Sequence, residues 1–243
     1  MKTSLTIKPH SVHLWRAFVP ELLSEIEDFF KLLTPDEQQR ATRFHFLIHR
    51  QRFIIARAIL RLILSQYLTT LAHHHRFSEG KYGKPYIRQS ALQFNVSHSH
   101  DMVIYGLTLN QDIGVDIEKM EPQFNRSIAE RFFSVRENHQ LSQLNEQKKP
   151  TAFYQLWAAK EAVIKMLGAG LYMPLTEFSV DFTQSTQQLV LNKESMTHCH
   201  IETFIAHPDY QAAFATPPPV LEKQFWEWKK NGPRAATREW FNE

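Results

Sequence analysis

Cysteine is almost absent: Cys199 is the single one in 243 residues. It can form no internal disulfide and has no second thiol for a Cys-based metal site, which excludes disulfide-stapled secreted classes and points to the reducing cytoplasm. Long apolar runs are lacking too. The N-terminal residues MKTSLTIKPH hold no apolar stretch of signal-peptide length. The most apolar run, Phe53 to Leu64, is interrupted by Arg57 and Arg61, so a core helix is expected there and no membrane span. Acidic residues are missing from one whole stretch. Between Glu37 and Glu79 stand Arg40, Arg43, Arg50, Arg52, Arg57, Arg61 and Arg76 with no Asp or Glu, although the net charge is only +3. A one-signed surface of that kind suits an anionic ligand. What is present in ordinary amount, 43% hydrophobic and 22% charged residues, is enough for a sizeable core, as one domain or two small lobes.

The best-defined element is the helix expected over Phe153 to Leu171, FYQLWAAKEAVIKMLGAGL. At about 100° per residue, Phe153, Leu156, Trp157, Val163, Ile164 and Leu167 share one wide stripe, and Lys160 falls in its middle. The opposite face is little more polar, so the few charges of a largely buried helix need partners. Glu161 and Lys165, one turn apart, would form an ordinary exposed pair worth about 0.3 to 0.5 kcal/mol. That leaves Lys160 without an explanation, so all three are read as pointing into a charged site shared with another part of the chain. Gly168 or Gly170 ends the helix.

Taken in order, the chain reads as two lobes and a tail, 1–110, 111–216 and 217–243. Val12 to Trp15 is a short strand and Glu21 to Leu33 a helical stretch, and Thr34-Pro35 starts another helix. A longer helix is expected over His49 to Leu68. His73-His74-His75 reads as a solvated loop with no role, since adjacent side chains diverge. Gly80-Lys81-Tyr82-Gly83-Lys84-Pro85 is a turn able to bring amides and ammonium groups to a phosphate. In FNVSHS, Phe94, Val96 and His98 share one side of a strand, and Asn95, Ser97 and Ser99 the other. Met102 to Leu109 and Ile113 to Glu118 are read as consecutive strands joined by a hairpin turn at Asn110-Gln111-Asp112. Gln123 to Glu146 is mostly helical and Asn145 to Pro150 a polar linker. Strand-like fragments follow at Phe178 to Phe182, Leu189 to Leu191, His200 to Ile205 and Gln211 to Ala215. Pro217-Pro218-Pro219 ends the compact region, and the tail beyond carries Trp226, Trp228 and Trp240.

In Ile113 to Glu118 the alternation places Ile113, Val115 and Ile117 on one face and Gly114, Asp116 and Glu118 on the other. Two carboxylates therefore point the same way and repel unless a cation lies beside them. Hard oxygen ligands of this sort suit Mg²⁺, with a substrate phosphate completing its shell. A solvated strand face would produce the same pattern.

Together, Gly-Lys-Pro at 83 to 85, FNVSHS at 94 to 99, GVDIE at 114 to 118 and WAAKEAVIK at 157 to 165 resemble the 4′-phosphopantetheinyl transferases of the monomeric, two-lobed type. The resemblance implies an α+β fold of two similar α/β lobes related by a pseudo-twofold, each a small antiparallel sheet packed with helices. It implies Mg²⁺-dependent transfer of the phosphopantetheine arm of coenzyme A to a serine of an acyl or peptidyl carrier protein, with release of adenosine 3′,5′-bisphosphate. It assigns Asp116, Glu118 and Glu161 as metal ligands, Glu161 also as the base that takes the serine proton, and Lys165 as neutralising pyrophosphate charge. By the same resemblance Lys160 contacts phosphate or braces the site, Ser97 and His98 touch the nucleotide end and its phosphates, and Lys84 lies beside the adenosine. Arg40, Arg43 and Arg52 are the candidates for the 3′-phosphate, with Arg40 and Arg52 in the matching places. The pathway, whether fatty acid, polyketide or nonribosomal peptide synthesis, stays open. The expected partners are the carrier protein and coenzyme A, with no nucleic acid and no membrane.

Two other classes fit parts of the pattern. A nucleic-acid-binding module would explain the arginine run but gives Asp116, Glu118 and Glu161 no reason to converge. A Mg²⁺-dependent nuclease would use paired acids and a lysine, but Met120 stands where the acid-x-Lys arrangement after Glu118 needs its lysine.

Overall fold

The computed structural model describes residues 5–168, 170, 173–192 and 197–236. The first half runs β1 (Ser11–Phe18), a 3₁₀ turn, α1 (Ile26–Leu32), α2 (Pro35–Thr42), α3 (Leu47–Tyr67), a small hairpin of β2 (Ser78–Glu79) and β3 (Pro85–Tyr86), then β4 (Leu92–Ser99) and β5 (Met102–Leu109). The second runs β6 (Gly114–Lys119), α4 (Arg126–Phe132), α5 (Val135–Ser142), α6 (Lys149–Leu167), β7 (Thr186–Asn192), β8 (Thr197–His207) and β9 (Tyr210–Thr216). The chain then returns with β10 (Glu222–Lys229) and β11 (Gly232–Ala236). The fold is α+β, as expected.

Local chemistry explains the helix starts. Thr34 and Ser134 each accept a hydrogen bond from the amide of a glutamate three residues on, Glu37 and Glu137, whose carboxylates accept from the cap amides in return. Gly168, at φ 60°, closes α6 in the left-handed conformation that glycine adopts without steric cost. The helix begins at Lys149, inside the stretch read as a linker, because Pro150 is acceptable in a first turn. The end at Gly168 is one of the two expected; Leu171, the last residue of the stretch from Phe153, lies outside the described residues, as does Trp240.

One sheet has the order β11-β10-β1-β5-β4 and the other β6-β9-β8-β7. They stack face to face. Alternation along β1 sends Trp15 and Ala17 toward α3, with Ile55, Ile59 and Ile63, and sends Val12 and Leu14 toward the second sheet. There they meet Val115 and Ile117 of β6 and Phe214 of β9. On the outer face of the second sheet, α6 packs Leu156, Ala159 and Val163 against Ile201, Ala213 and Ala215. With both faces covered, β5 is buried along nearly its whole length, MVIYGLTL.

Four expectations change. β5 and β6 are not a hairpin: the turn at Asn110 to Asp112 carries the chain from one sheet to the other. Turn chemistry marks where a strand stops and says nothing of which sheet receives the next. Phe178 to Phe182 is no strand; it follows a short 3₁₀ turn, Leu175–Glu177, and turns Phe178 and Val180 into the core under α6. The first sheet is mixed, because β10 runs parallel to β1. Residues 222–236 are thus sheet strands rather than a tail, and Trp226 stacks on Trp15 with ring centroids 5.2 Å apart.

Gly114 is where β6 meets α6. A Cβ there would stand 1.9 Å from the carbonyl oxygen of Ala162 and 2.3 Å from the amide nitrogen of Met166, both backbone atoms. Gly114→Ala should therefore push strand from helix and cost about 1 to 3 kcal/mol, the range for overpacking. An unchanged melting temperature would show that the two elements can separate freely.

Candidate active site

The motif FNVSHS lies on β4, the edge of the first sheet, alongside β6, the edge of the second. No ladder joins them. Instead, every other side chain of β4 crosses the gap: Asn95 Oδ1 accepts from the amide of Val115 (2.8 Å), Ser97 Oγ donates to Asp116 Oδ1 (2.9 Å), and Ser99 Oγ donates to Glu118 Oε2 (3.0 Å) while accepting from the amide of Lys119 (3.1 Å). The polar side of the alternation is thus a seam between sheets, satisfying edge groups that would otherwise be buried unpaired.

Asp116 sits at the centre of the seam and is almost fully buried. From α6, Lys165 Nζ donates to Asp116 Oδ1 at 2.5 Å and to Ser97 Oγ at 3.0 Å. Burial pushes the Asp116 carboxyl upward, against the pull of Lys165. Glu118 is pushed up to about 7, by burial first and by the charge of Asp116 next. Glu161, half-buried on α6, is raised by burial, with Asp116 adding to the shift and Lys165 opposing it. Three acids that burial pushes away from ionisation, despite Lys165, form an environment that a divalent cation would relieve. Asp116 Oδ2 is buried with no hydrogen-bond partner, a hard oxygen suited to such an ion. The donor chemistry fits Mg²⁺. The fit is of charge and donor type, since among the described residues no three Asp, Glu, His or Cys side chains already form a ligating group.

The other side of β4 faces a cavity of about 740 Å³. Arg40, Arg52 and Arg57 line it with Phe44, Phe53 and His98 among others. Ser97 and His98, paired by the resemblance, therefore face opposite ways, one into the carboxylates and one into the arginines. Burial lowers the pKa of His98, and Lys165 lowers it further, both favouring the neutral ring. Of the three arginine candidates, Arg40 and Arg52 belong to the wall, Arg40 with its guanidinium 5.2 Å from the Phe53 ring centroid; Arg43 is exposed and is not among the lining residues. Lys84 lines a neighbouring pocket with Glu161 and Lys165, but its ammonium donates to the carbonyls of Ile113 (2.9 Å) and Met166 (3.3 Å). In this structure it clasps the end of α6 to the start of β6, and burial lowers its pKa.

Lys160 is not part of this site, which corrects the expectation that it points there with Glu161 and Lys165. It is fully buried on another side of α6, 2.9 Å from Glu137 Oε2 and donating to the carbonyls of Leu175 (2.6 Å) and Phe178 (2.7 Å). The arginine run is also less one-signed in space than in sequence. Arg61 is buried against Glu37 at 2.9 Å, Arg57 lies 3.6 Å from the same carboxylate, and Arg52 pairs with Asp101 at 2.8 Å. Arg57, His49 and His100 line the cavity without having been singled out. The spacing of Arg57 from Arg50 and Arg61 was visible, but helical spacing alone does not tell a cavity arginine from a structural one.

A strand seam that gathers buried carboxylates beside an arginine-lined cavity is consistent with a Mg²⁺-assisted phosphoryl-transfer enzyme, and comparison with known families makes the class specific. Residues 112–215 match the family model of the 4'-phosphopantetheinyl transferase superfamily, and residues 15–107 match that of the 4'-phosphopantetheinyl transferase N-terminal region. The chain is 36% identical over 173 residues to the 4'-phosphopantetheinyl transferase HetI of Nostoc sp. (strain PCC 7120), covering 69% of this chain and 73% of HetI. It is 34% identical over 190 residues to the 4'-phosphopantetheinyl transferase Sfp of Bacillus subtilis (strain 168), covering 78% of this chain and 84% of Sfp. The chain belongs to the 4′-phosphopantetheinyl transferase superfamily and is an enzyme of that class. A crystal structure of the Thermotoga maritima holo-[acyl-carrier-protein] synthase is similar at TM-score 0.32 and 18% identity, over 44% of this chain and 62% of its own, a likeness too slight to bear on fold or function. Among the described residues no helix is long and apolar enough to cross a membrane.

Proposed function

We propose that the protein moves the 4′-phosphopantetheine arm of coenzyme A onto a serine hydroxyl of an acyl or peptidyl carrier protein, with Mg²⁺, and releases adenosine 3′,5′-bisphosphate. The observation that carries this reading is the division along β4, with buried acids and Lys165 on the Ser97 side and cavity arginines on the His98 side. A ligand with a pyrophosphate at one point and an isolated phosphate at another suits two unlike environments a strand's width apart.

In the transfer, the serine oxygen forms a bond to the pantetheine-side phosphorus of the pyrophosphate, and the bond from that phosphorus to the bridging oxygen breaks. Glu161, whose raised proton affinity matches the task, accepts the serine proton. Lys165 neutralises charge on the phosphates, and Ser97 keeps its ammonium aimed at Asp116. Asp116, Glu118 and Glu161 would hold Mg²⁺, which when bound supplies charge neutralisation at the pyrophosphate. The same reading takes the chain as a cytoplasmic monomer whose two lobes, related by a pseudo-twofold, close one site between them.

Incubation with labelled coenzyme A, an apo carrier protein and Mg²⁺ should place the label on the carrier serine. Cleavage of DNA or RNA with no labelled carrier would move the reading to a nuclease. Arg52→Ala should weaken binding of coenzyme A by about tenfold, the worth of a charged hydrogen bond, and that of its 3′-dephospho form far less. Equal losses for the two ligands, measured by calorimetry, would remove Arg52 from the phosphate.

A further inference from the structure

Arg52 reaches the cavity wall already held. Its Nε and Nη2 both donate to one oxygen of Asp101, Oδ1, at 3.1 and 2.8 Å. Asp101 stands in the turn between β4 and β5, beside His100 at φ 49°. The turn does not need the carboxylate to stay in place. The backbone carbonyl of Asp101 accepts from the amide of Val19 at 2.8 Å, and its amide donates to the Tyr210 hydroxyl at 3.4 Å. The carboxylate has a different job, and the geometry of its bonds indicates which.

A guanidinium carries five N–H donors in a rigid plane, and side-on pairing through Nε and Nη2 occupies one edge. The terminal edge, Nη1 with the remaining Nη2 hydrogen, keeps the fork spacing that matches two phosphate oxygens. We propose that Asp101 is a positioning residue: it grips Arg52 by the side edge so that the terminal edge addresses a phosphate in the cavity. The other wall arginines are steadied differently, Arg40 over the Phe53 ring and Arg57 over Phe77 near Glu37. The pair is partly exposed, the two side chains at 23% and 34%, so its worth in stability is small and its worth in orientation is what remains. Because a single oxygen accepts both bonds, the amide oxygen of asparagine could serve in its place.

This inference rests on the proposed coenzyme A site, and the test separates the two. Dissociation constants of adenosine 3′,5′-bisphosphate and of adenosine 5′-monophosphate would be measured for the full chain and its variants. The wild-type protein should prefer the bisphosphate. Asp101→Ala should lower that preference by about fivefold or more, the scale of losing one charge-assisted hydrogen-bond geometry, whereas Asp101→Asn should keep most of it. A rise in preference in both variants would overturn the inference, making Asp101 a competing anion. Equal losses for both ligands would overturn it as well, reducing Asp101 to a structural part of the turn. If Arg52→Ala abolishes the preference and Asp101→Ala leaves it intact, the inference falls and the phosphate site stands. A wild-type protein with no preference would sink both.

Discussion

Glu161→Gln is expected to lower turnover by about a hundredfold or more, the scale of a positioned acid-base or electrostatic group, while the protein stays folded. Glutamine keeps the size and reach of the side chain but neither its basicity nor its charge. If Glu161 and Lys165 were only a surface pair, the same change would cost a few tenths of a kcal/mol in stability and leave transfer untouched. The geometry favours the first outcome, because Lys165 spends its ammonium on Asp116 and Ser97 rather than on Glu161. Stability gives a second readout of opposite sign. Burial raises the Glu161 pKa, so in the metal-free protein its ionised form is the costly one, and Glu161→Gln should raise the melting temperature. Mg²⁺ should then stabilise the wild-type protein more than the variant. Unchanged turnover would return Glu161 to the helix surface.

Lys160→Met should act in the reverse manner, costing about 3 to 5 kcal/mol in stability with little change in turnover per folded molecule. It strips the positive partner from Glu137, a carboxylate with no exposure at all. Glu137 also accepts from the amides of Ser134 and Val180, both at 2.7 Å, so the pair ties α5, the segment after Pro174 and α6 together. Adding Glu137→Gln to Lys160→Met should recover part of the loss, since a neutral amide is cheaper to bury alone than a charge. Urea unfolding of the single and double variants measures the coupling. Normal stability with weakened coenzyme A binding would restore Lys160 to the phosphate site.

The residues proposed to carry the chemistry were legible because their spacing is local. Alternation put Asp116 and Glu118 on one face of a strand, and one helical turn put Glu161 near Lys165; both placements hold in three dimensions. Lys160 misled for a related reason. A charge on an apolar stripe announces that it needs a partner, and the partner, Glu137, lies in a helix whose own cap explains that glutamate without reference to Lys160. The acid-free run had the same weakness, since Glu37 folds back onto Arg57 and Arg61 and Asp101 comes from a hairpin to meet Arg52. Sheet membership was the least legible feature. Period-two patterns identify β5 and β6 as strands and leave β10 in the tail, and the sheet that each joins is fixed by contacts far away in sequence.

The return of β10 to the first sheet bears on how the chain is made. Arg16 and Glu227 are hydrogen-bonded across 211 positions of sequence, so β1 stays an unpaired edge on a ribosome-bound chain until the whole second sheet has been synthesised. Until then Trp15 lacks Trp226, and a row of free N–H and C=O groups can pair with a neighbouring chain instead. Closure at such separation is slow by topology alone. An N-terminal fragment ending before β10 would leave this edge open and be prone to aggregate.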